Sequence, residues 1–447
     1  MSRNLYLLVF VFLVFTQNAH AVAAFARQTG FECFMCHANS QTTLNKVGRM
    51  FAYSSYQMTK GEDEDSLFIS KEEGLDARSV LNMSLMLKAR MDQGYDVING
   101  KGMPLQSADE EELGANRGLY EIFKTSTINL GGKVFTNMGT LLELREKEEK
   151  VIFGGKFISS FQTGDAYSGI ALFSTNNYGP FSGMEMHNTG LYKPLRQFEN
   201  HKLTNAAQAA DLGSGEASGA QVFYAGDILF ISVGAYVPIH YSEGMPLGGA
   251  LGFARVTLEK QLNDLNLVVG AYGINGSVTA NNTTFDSALS GLLPSSAIEF
   301  TKESYGVDLQ LEGEIFAMPS LLSANAVFKN KSEIDKPLLM NFLVGPVYEQ
   351  VYGEPANGEM QAYSVSFEIY PVPMLGLKMA YLYLDDSSPY TYEIDKVDSK
   401  DKVAYSAGFD YNWRQNVMFT LEYSYVDANR QDIVDYSDLL AVLTVSF

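Results

Sequence analysis

The chemistry in this sequence is concentrated in Cys33-Phe34-Met35-Cys36-His37, which holds both cysteines of the chain. Two thiols three positions apart, followed at once by an imidazole, form the C-x-x-C-H arrangement that attaches a c-type haem. The spacing has a physical reason. Two thiols on one tight turn reach the two vinyl groups of a single porphyrin, and His37 is then held beneath the iron as proximal ligand. Other uses of paired cysteines fit less well. A dithiol redox motif is set in a strand–helix–strand pattern, and none follows. A structural zinc site needs four ligands, and there is no second cysteine pair. One covalent haem c, attached through Cys33 and Cys36, is therefore the expected cofactor. The sequence has no nucleophile–base arrangement, phosphate loop or dinucleotide fingerprint.

The residues around the motif supply candidates for the rest of a haem site. Phe25, Phe31, Phe34, Leu44, Val47, Phe51, Tyr53 and Tyr56 could wrap an apolar porphyrin. Asn45 to Phe51 reads as a helix-to-turn element, and Arg49 within it is either a partner for a haem propionate or a solvated arginine. The sixth ligand is open at this point. Met58 or Met50 would give a high-potential Met/His iron, and His187, His201 or His240 would give bis-histidine ligation. An open or water-bound position is the third choice.

These residues need a framework, and the framework begins with an address. Arg3, the apolar run Leu5 to Phe15 and Ala19-His20-Ala21 form a secretory signal peptide over residues 1–21, with cleavage after Ala23 as a variant. The run is too short to span a bilayer as a helix. Residues 22–78 then form the haem segment. A segment this small buries little surface alone and must lean on something larger.

The larger part is residues 79–447, which read as a transmembrane β-barrel. Strict alternation recurs in blocks of about ten residues. Tyr305, Val307, Leu309 and Leu311 alternate with Ser304, Asp308, Gln310 and Glu312, and Val417, Phe419, Leu421 and Tyr423 alternate with Met418, Thr420 and Glu422. About sixteen such segments can be marked between residues 79 and 447. Short turns, such as Gln261–Asp264, Ala317–Pro319, Pro371–Pro373 and Trp413–Gln415, alternate with long loops over 92–117, 177–218, 277–302, 332–358 and 386–402. That rhythm is the outer-membrane pattern, with short turns on the periplasmic side. The last strand ends on Phe447, as outer-membrane barrels commonly do. The expected fold class is thus all-β: a roughly sixteen-stranded antiparallel outer-membrane barrel with a small helical haem segment at its periplasmic mouth or plugging its lumen. Asp308, Glu312, Glu314, Glu368, Asp410 and Glu422 fall on the inward register and predict an acidic interior, or simply the wet wall of a porin.

Composition agrees. Of 447 residues, 46% are hydrophobic and 12% aromatic, which excludes a disordered chain. With 32 basic and 52 acidic residues the net charge is −20, which excludes nucleic acid as a natural partner and favours cations. The acidic runs Glu62–Asp65 and Asp109–Glu112 read as solvated loops.

The stretch from Phe25 to His37, followed by Leu44, Gly48-Arg49 and Phe51, resembles the fused monohaem cytochrome–porins of iron-oxidising bacteria. That resemblance implies an outer-membrane protein with a small c-type cytochrome segment ahead of a barrel, acting as an Fe(II) oxidase or on another extracellular donor. It implies that Cys33 and Cys36 attach the haem and that His37 ligates iron. The expected function is oxidation of extracellular Fe(II), with electrons passed to a periplasmic c-type cytochrome or copper protein and outer-membrane lipid around the barrel. The alternatives are a porin-like channel with the haem segment as plug or sensor, or the same conduit used for another donor or for electron export.

Overall fold

The computed structural model describes residues 25, 29, 31, 33–38, 43–57, 68–70, 77–78, 83–98, 101–104, 119–123, 126–147, 150–175, 185–187, 198–199, 205–209, 217–239, 248–280, 298–330, 359–386, 402–414, 416–428 and 435–446. The signal peptide, Met58, His201, His240, both acidic runs and Phe447 lie outside the described residues.

Period-two alternation becomes a closed antiparallel barrel. Its strands are β1 (Met83–Ile98), β2 (Thr127–Phe135), β3 (Met138–Lys147), β4 (Lys150–Thr163) and β5 (Ala166–Thr175). They continue with β6 (Ala217–Ala225), β7 (Leu229–Val237), β8 (Gly248–Leu262), β9 (Leu265–Ala280), β10 (Ile298–Ile315) and β11 (Met318–Lys329). The last are β12 (Met360–Val372), β13 (Leu375–Asp386), β14 (Lys402–Arg414), β15 (Val417–Ala428) and β16 (Asp435–Ser446). Pairing of β16 with β1, from Asp435 opposite Val97 to Ser446 opposite Met86, closes the circle. Among the described residues this gives sixteen positions around the wall. Two short segments, Lys101–Pro104 and Leu119–Ile122, lie in line with β2 and share its place beside β1.

Several boundaries differ from the sequence reading; β9 and β10, for example, reach Ala280 and begin at Ile298, inside the loop expected over 277–302, and the Asn275-Gly276 pair lies within β9. The strand expected to end near residue 91 runs on to Ile98, and Ile98 pairs with Lys101 across Asn99-Gly100, the dipeptide that favours a two-residue hairpin turn. The turn expected at Ala317–Pro319 lies one residue earlier. Phe316 and Ala317 take φ values of 53° and 60°, and Pro319 sits opposite Glu314 near the start of β11. Neither turn residue is a glycine or asparagine, so ordinary turn chemistry pointed at the proline instead.

Side chains sort by face. On β8, Val256 and Leu258 point outward, while Arg255, Thr257 and Glu259 are buried inward. The outward residues across the wall are apolar or aromatic, including Ile170, Leu172, Val222, Val307, Tyr405 and Trp413. An apolar outer band with aromatic flanks is what hydrocarbon requires of a spanning barrel, where every backbone group must be paired within the wall. No helix among the described residues is long and apolar enough to cross a membrane.

The interior is not simply acidic. Asp308, Glu312, Glu368, Asp410 and Glu422 do point inward, and all are buried. Glu314, nearer the turn, is exposed. The buried carboxylates have partners. Arg255 reaches Asp308 at 2.9 Å and Glu185 at 3.3 Å, and Lys378 reaches Asp410 at 2.9 Å and Glu422 at 2.7 Å. Tyr370 donates to Glu368 at 2.6 Å. The expected acidic lining is corrected accordingly: low dielectric makes an uncompensated carboxylate costly, so the wall supplies a cation or donor for each.

Candidate functional site

The C-x-x-C-H motif folds as one helical turn, α1 (Cys33–Cys36), and the chain doubles back through a bridge between His37 and Leu44. Ala38 N–H donates to the Thr43 carbonyl at 2.8 Å, and Asn45 N–H to the Cys36 carbonyl at 3.0 Å. The next element is α2 (Lys46–Tyr53), capped by Asn45. An N-cap asparagine satisfies one of the orphan amides at a helix start. Here it does more. Its Oδ1 accepts from Gly48 N–H at 3.0 Å, while its Nδ2 donates to the carbonyls of Phe34 and Met35 at 3.2 and 3.1 Å. One side chain therefore ties the start of α2 to α1. Gly48 completes the junction. A Cβ there would lie 2.1 Å from the Cys36 carbonyl oxygen, so the two elements meet at a distance only glycine permits.

The other face of α2 is fixed to the inner wall. Arg49 Nη2 lies 2.9 Å from Glu259 Oε1 on β8 and 2.8 Å from Glu312 Oε1 on β10, and its Nη1 donates to Glu312 Oε2 at 3.1 Å and to the Leu44 carbonyl at 2.7 Å. Asn266 Nδ2 on β9 donates to both carboxylates at 2.8 and 2.9 Å, and Lys46 N–H donates to Glu312 Oε1 at 3.1 Å. Burial alone would lower the Arg49 pKa, but Glu312 and then Glu259 more than offset this and hold it above the ordinary value. Below this cluster Ser55 pairs with Ser160 at 2.7 Å, and Gln57 Nε2 donates to the Phe135 and Met138 carbonyls at 2.8 and 3.1 Å. A Cβ on Gly139 would lie 2.0 Å from the Ser55 carbonyl oxygen, so the wall too has a position kept bare for this segment. Lys46 Nζ reaches Asp227, in the short turn between β6 and β7, at 2.6 Å. Every one of these wall contacts lies toward the end of the barrel that carries the short turns, so α1 and α2 stand in that mouth.

The aromatic residues expected around a porphyrin are mostly used elsewhere. Phe25 stacks on Tyr56 at 4.9 Å and meets the edge of Phe51 at 5.1 Å, and Tyr53 stacks on Phe230 of β7 at 5.2 Å. With Ile158, Ala171 and Phe223 of the wall they form one apolar cluster. Phe34, Met35 and Met50 are left with 45%, 49% and 37% of their surface exposed, the apolar surface that α1 and its helix still present.

These residues fit a covalent haem. One helical turn puts positions 33 and 36 on a common face, Gly48 and Asn45 brace the back of that turn, and apolar side chains remain uncovered beside it. Cys36 and His37 are half-buried. Two of the other candidates have partners different from those expected. Arg49 is committed to Glu259 and Glu312, so its guanidinium braces the wall rather than a propionate. His187, buried in the connection between β5 and β6, has Nδ1 hydrogen-bonded to the Tyr53 hydroxyl and Nε2 3.3 Å from Thr257 Oγ1, so both ring nitrogens face protein groups instead of a metal. Met50 stays on the exposed face of α2, while Met58, His201 and His240 lie outside the described residues.

Glu259, Asn266, Glu185 and the Tyr53–His187 contact escaped the sequence reading. The available signal was inward carboxylates at Glu259 and Glu312, both close to short turns, with a single arginine beside a glycine in the haem segment.

The His187 ring has a pH consequence. Burial, then the Arg49 and Arg255 charges, hold its pKa well below the ordinary 6.5, so it is neutral in place. Below pH 6.5 the unfolded chain takes up a proton that the folded one refuses, and stability falls as pH falls. Calorimetric melting of the intact protein is expected to weaken from pH 7 toward pH 5, with a smaller slope in His187→Gln. Equal slopes would remove the histidine from the account.

No family model matches the chain, and no curated protein matches it. Solved structures offer distant likenesses. The outer membrane channel DcaP of Acinetobacter baumannii shares 12% identity over 84% of this chain and 99% of that chain, at a TM-score of 0.46. OmpTdeltaL8, a loop-deletion mutant of an outer membrane protein of Vibrio cholerae, shares 10% identity over 82% and 99%, at 0.45. OccK8 (OprE) of Pseudomonas aeruginosa shares 9% over 82% and 97%, at 0.43.

Proposed function

We propose that this chain is an outer-membrane electron-transfer protein that takes electrons from extracellular Fe(II) and passes them to a periplasmic c-type cytochrome or copper protein. The observation that carries the reading is a C-x-x-C-H turn braced on a helix that is itself clamped inside the mouth of a barrel. Short turns of outer-membrane barrels face the periplasm, which puts α1 on the side of a soluble acceptor. Covalently bound there, haem c supplies one-electron exchange. The chain's own residues do the rest. Cys33 and Cys36 would attach the haem and His37 would ligate its iron, with Met50, Met58, His201 and His240 as the candidates for a further ligand. Asn45, Gly48 and Arg49 hold the turn in register with the wall, and Phe34 and Met35 offer an apolar surface at the mouth. Because the lumenal carboxylates are paired, attraction of Fe(II) falls to the net charge of −20 rather than to an acidic interior.

A second reading, a porin-like channel with the N-terminal segment as plug, is favoured by the seat of α2 in the lumen. Two measurements separate them. Haem-peroxidase staining after denaturing electrophoresis should give a band in protein made by a host competent for haem attachment, and Cys36→Ala should lose it. Stopped-flow mixing of the oxidised protein with anaerobic Fe(II) should give rapid growth of the α-band. A stain-negative protein leaves the porin reading. A stained protein that ignores Fe(II) at acidic and neutral pH, yet responds to other donors, leaves a conduit for a different donor.

A further inference from the structure

The connection between β5 and β6 starts and ends at the far rim, yet three described stretches of it are packed against the inner wall. Glu185–His187 is the first. The Glu185 carbonyl accepts from Lys156 Nζ on β4 at 2.9 Å, its carboxylate lies 3.3 Å from Arg255 Nε on β8, and His187 meets Tyr53 of α2. The second is Phe198–Glu199, on a different part of the wall. Phe198 packs with Ala380, Leu382, Ala404 and Val426 of β13 to β15, under Lys378 Nζ at 5.1 Å. Glu199 pairs with Lys88 of β1 at 2.6 Å, and its N–H donates to Glu422 Oε1 at 2.7 Å. The third is Asn205 with α3 (Ala206–Ala209), where Ala206 N–H donates to Ser364 Oγ on β12 at 3.1 Å. The first station is seated on β4 and β8, and the other two adjoin one another on β12 to β15 and β1, so described parts of this one connection hold two separate arcs of the wall.

Two inserts therefore meet inside one barrel, and the first station is where they touch. Met186 belongs to the same apolar cluster as Phe51, Tyr53 and Tyr56 of the N-terminal segment. Glu259 serves both, since Arg49 binds one of its oxygens and His187 Nε2 lies 3.8 Å from the other. Across the wall, Arg255 holds Glu185 while Thr257 faces His187. Buried polar groups linked in this way leave a costly unpaired atom if either insert departs alone.

We propose that the β5–β6 connection is a strap that latches the N-terminal helix through the Tyr53–His187 contact, so that seating of the helix and inward folding of the strap form one cooperative unit. A movement of the outer loop would then be felt at the helix that carries the C-x-x-C-H turn. The inference concerns the lumen alone and does not depend on the electron-transfer reading.

The test uses the full-length protein in detergent and two proteases. Phe198 and Glu199 are seated on β13 to β15 and on Lys88 of β1, away from the strands that hold α2, so they serve as remote handles. Phe198→Ala and, more mildly, Glu199→Gln are expected to speed chymotrypsin cleavage after Tyr53, the former by about tenfold, within the range of ordinary coupling between packed sites. Coupling must be reciprocal. Arg49→Ala, made on the helix side, should therefore speed trypsin cleavage of the strap after Arg196. Heat-modifiable electrophoretic mobility reports whether the barrel itself is intact in each variant. Unchanged cleavage after Tyr53 in both strap variants with intact barrels, or a strap indifferent to Arg49→Ala, overturns the latch.

Discussion

Arg49→Ala is expected to release the N-terminal helix from the lumen while leaving the barrel closed. The guanidinium is 1% exposed and satisfies two carboxylates at once. Its removal leaves Glu259 and Glu312 facing one another across Asn266, buried and without the cation. Breaking a buried ion pair from one side costs about 3–5 kcal/mol, because the remaining charge is stranded. At 1.4 kcal/mol per power of ten this is roughly a hundredfold to several-thousandfold shift toward the undocked helix. Chymotrypsin cleavage after Tyr53 should accelerate by a similar factor, since cleavage tracks the open population when opening is fast. Lys46→Ala is the contrast. Its pair with Asp227 is short but exposed, and such pairs contribute about 0–1 kcal/mol. Adding Glu259→Gln and Glu312→Gln to an Arg49→Met change should recover much of the loss, because no charge is then left behind. If Arg49→Ala and Lys46→Ala behave alike, the buried cluster is not what seats the helix.

The barrel was legible in the sequence and the inside of the barrel was not, and the reason is the range of the signal. Outward and inward residues alternate within a strand, so the faces of β8, β10, β12 and β15 follow from a period of two. Short turns and long loops give the order. The haem motif is equally local, with five consecutive residues carrying its chemistry. The partners of Arg49 are not local. Glu259 and Glu312 lie more than two hundred residues away in sequence and are brought together only by the register of β8, β9 and β10. The same holds for His187, which lies in a long connection with no periodicity of its own. An inward carboxylate reads in sequence as a wetted wall. Only the assembled lumen shows a cation or a donor beside each, where the sequence reading gave an acidic interior or a wetted wall.

Gly48→Ala should damage haem attachment more than any surface change in the segment, although it adds a single methyl group. The added carbon would lie 2.1 Å from the Cys36 carbonyl oxygen, 3.0 Å from its carbon and 3.0 Å from the Leu44 side chain. The nearest atom is backbone and cannot rotate away. Relief requires α2 to move off α1, and that movement breaks the Asn45 N–H bond to Cys36 and the Asn45 side-chain bonds to Phe34 and Met35. Overpacking of this kind costs about 1–3 kcal/mol where the surroundings yield. Here yielding means displacing the turn that sets positions 33 and 36 on one face. The expected result is a barrel of normal heat-modifiable mobility with a sharply reduced haem-peroxidase stain per mole of protein. Asn45→Ala should move in the same direction more weakly, because it removes the cap and the two carbonyl bonds without forcing the helices apart, and a lost N-cap costs about 1 kcal/mol. Arg49→Ala, which acts on the other face of α2, should leave the stain largely intact while freeing the helix. Equal staining in Gly48→Ala and the unaltered protein would mean that the α1–α2 junction has no part in presenting the cysteines.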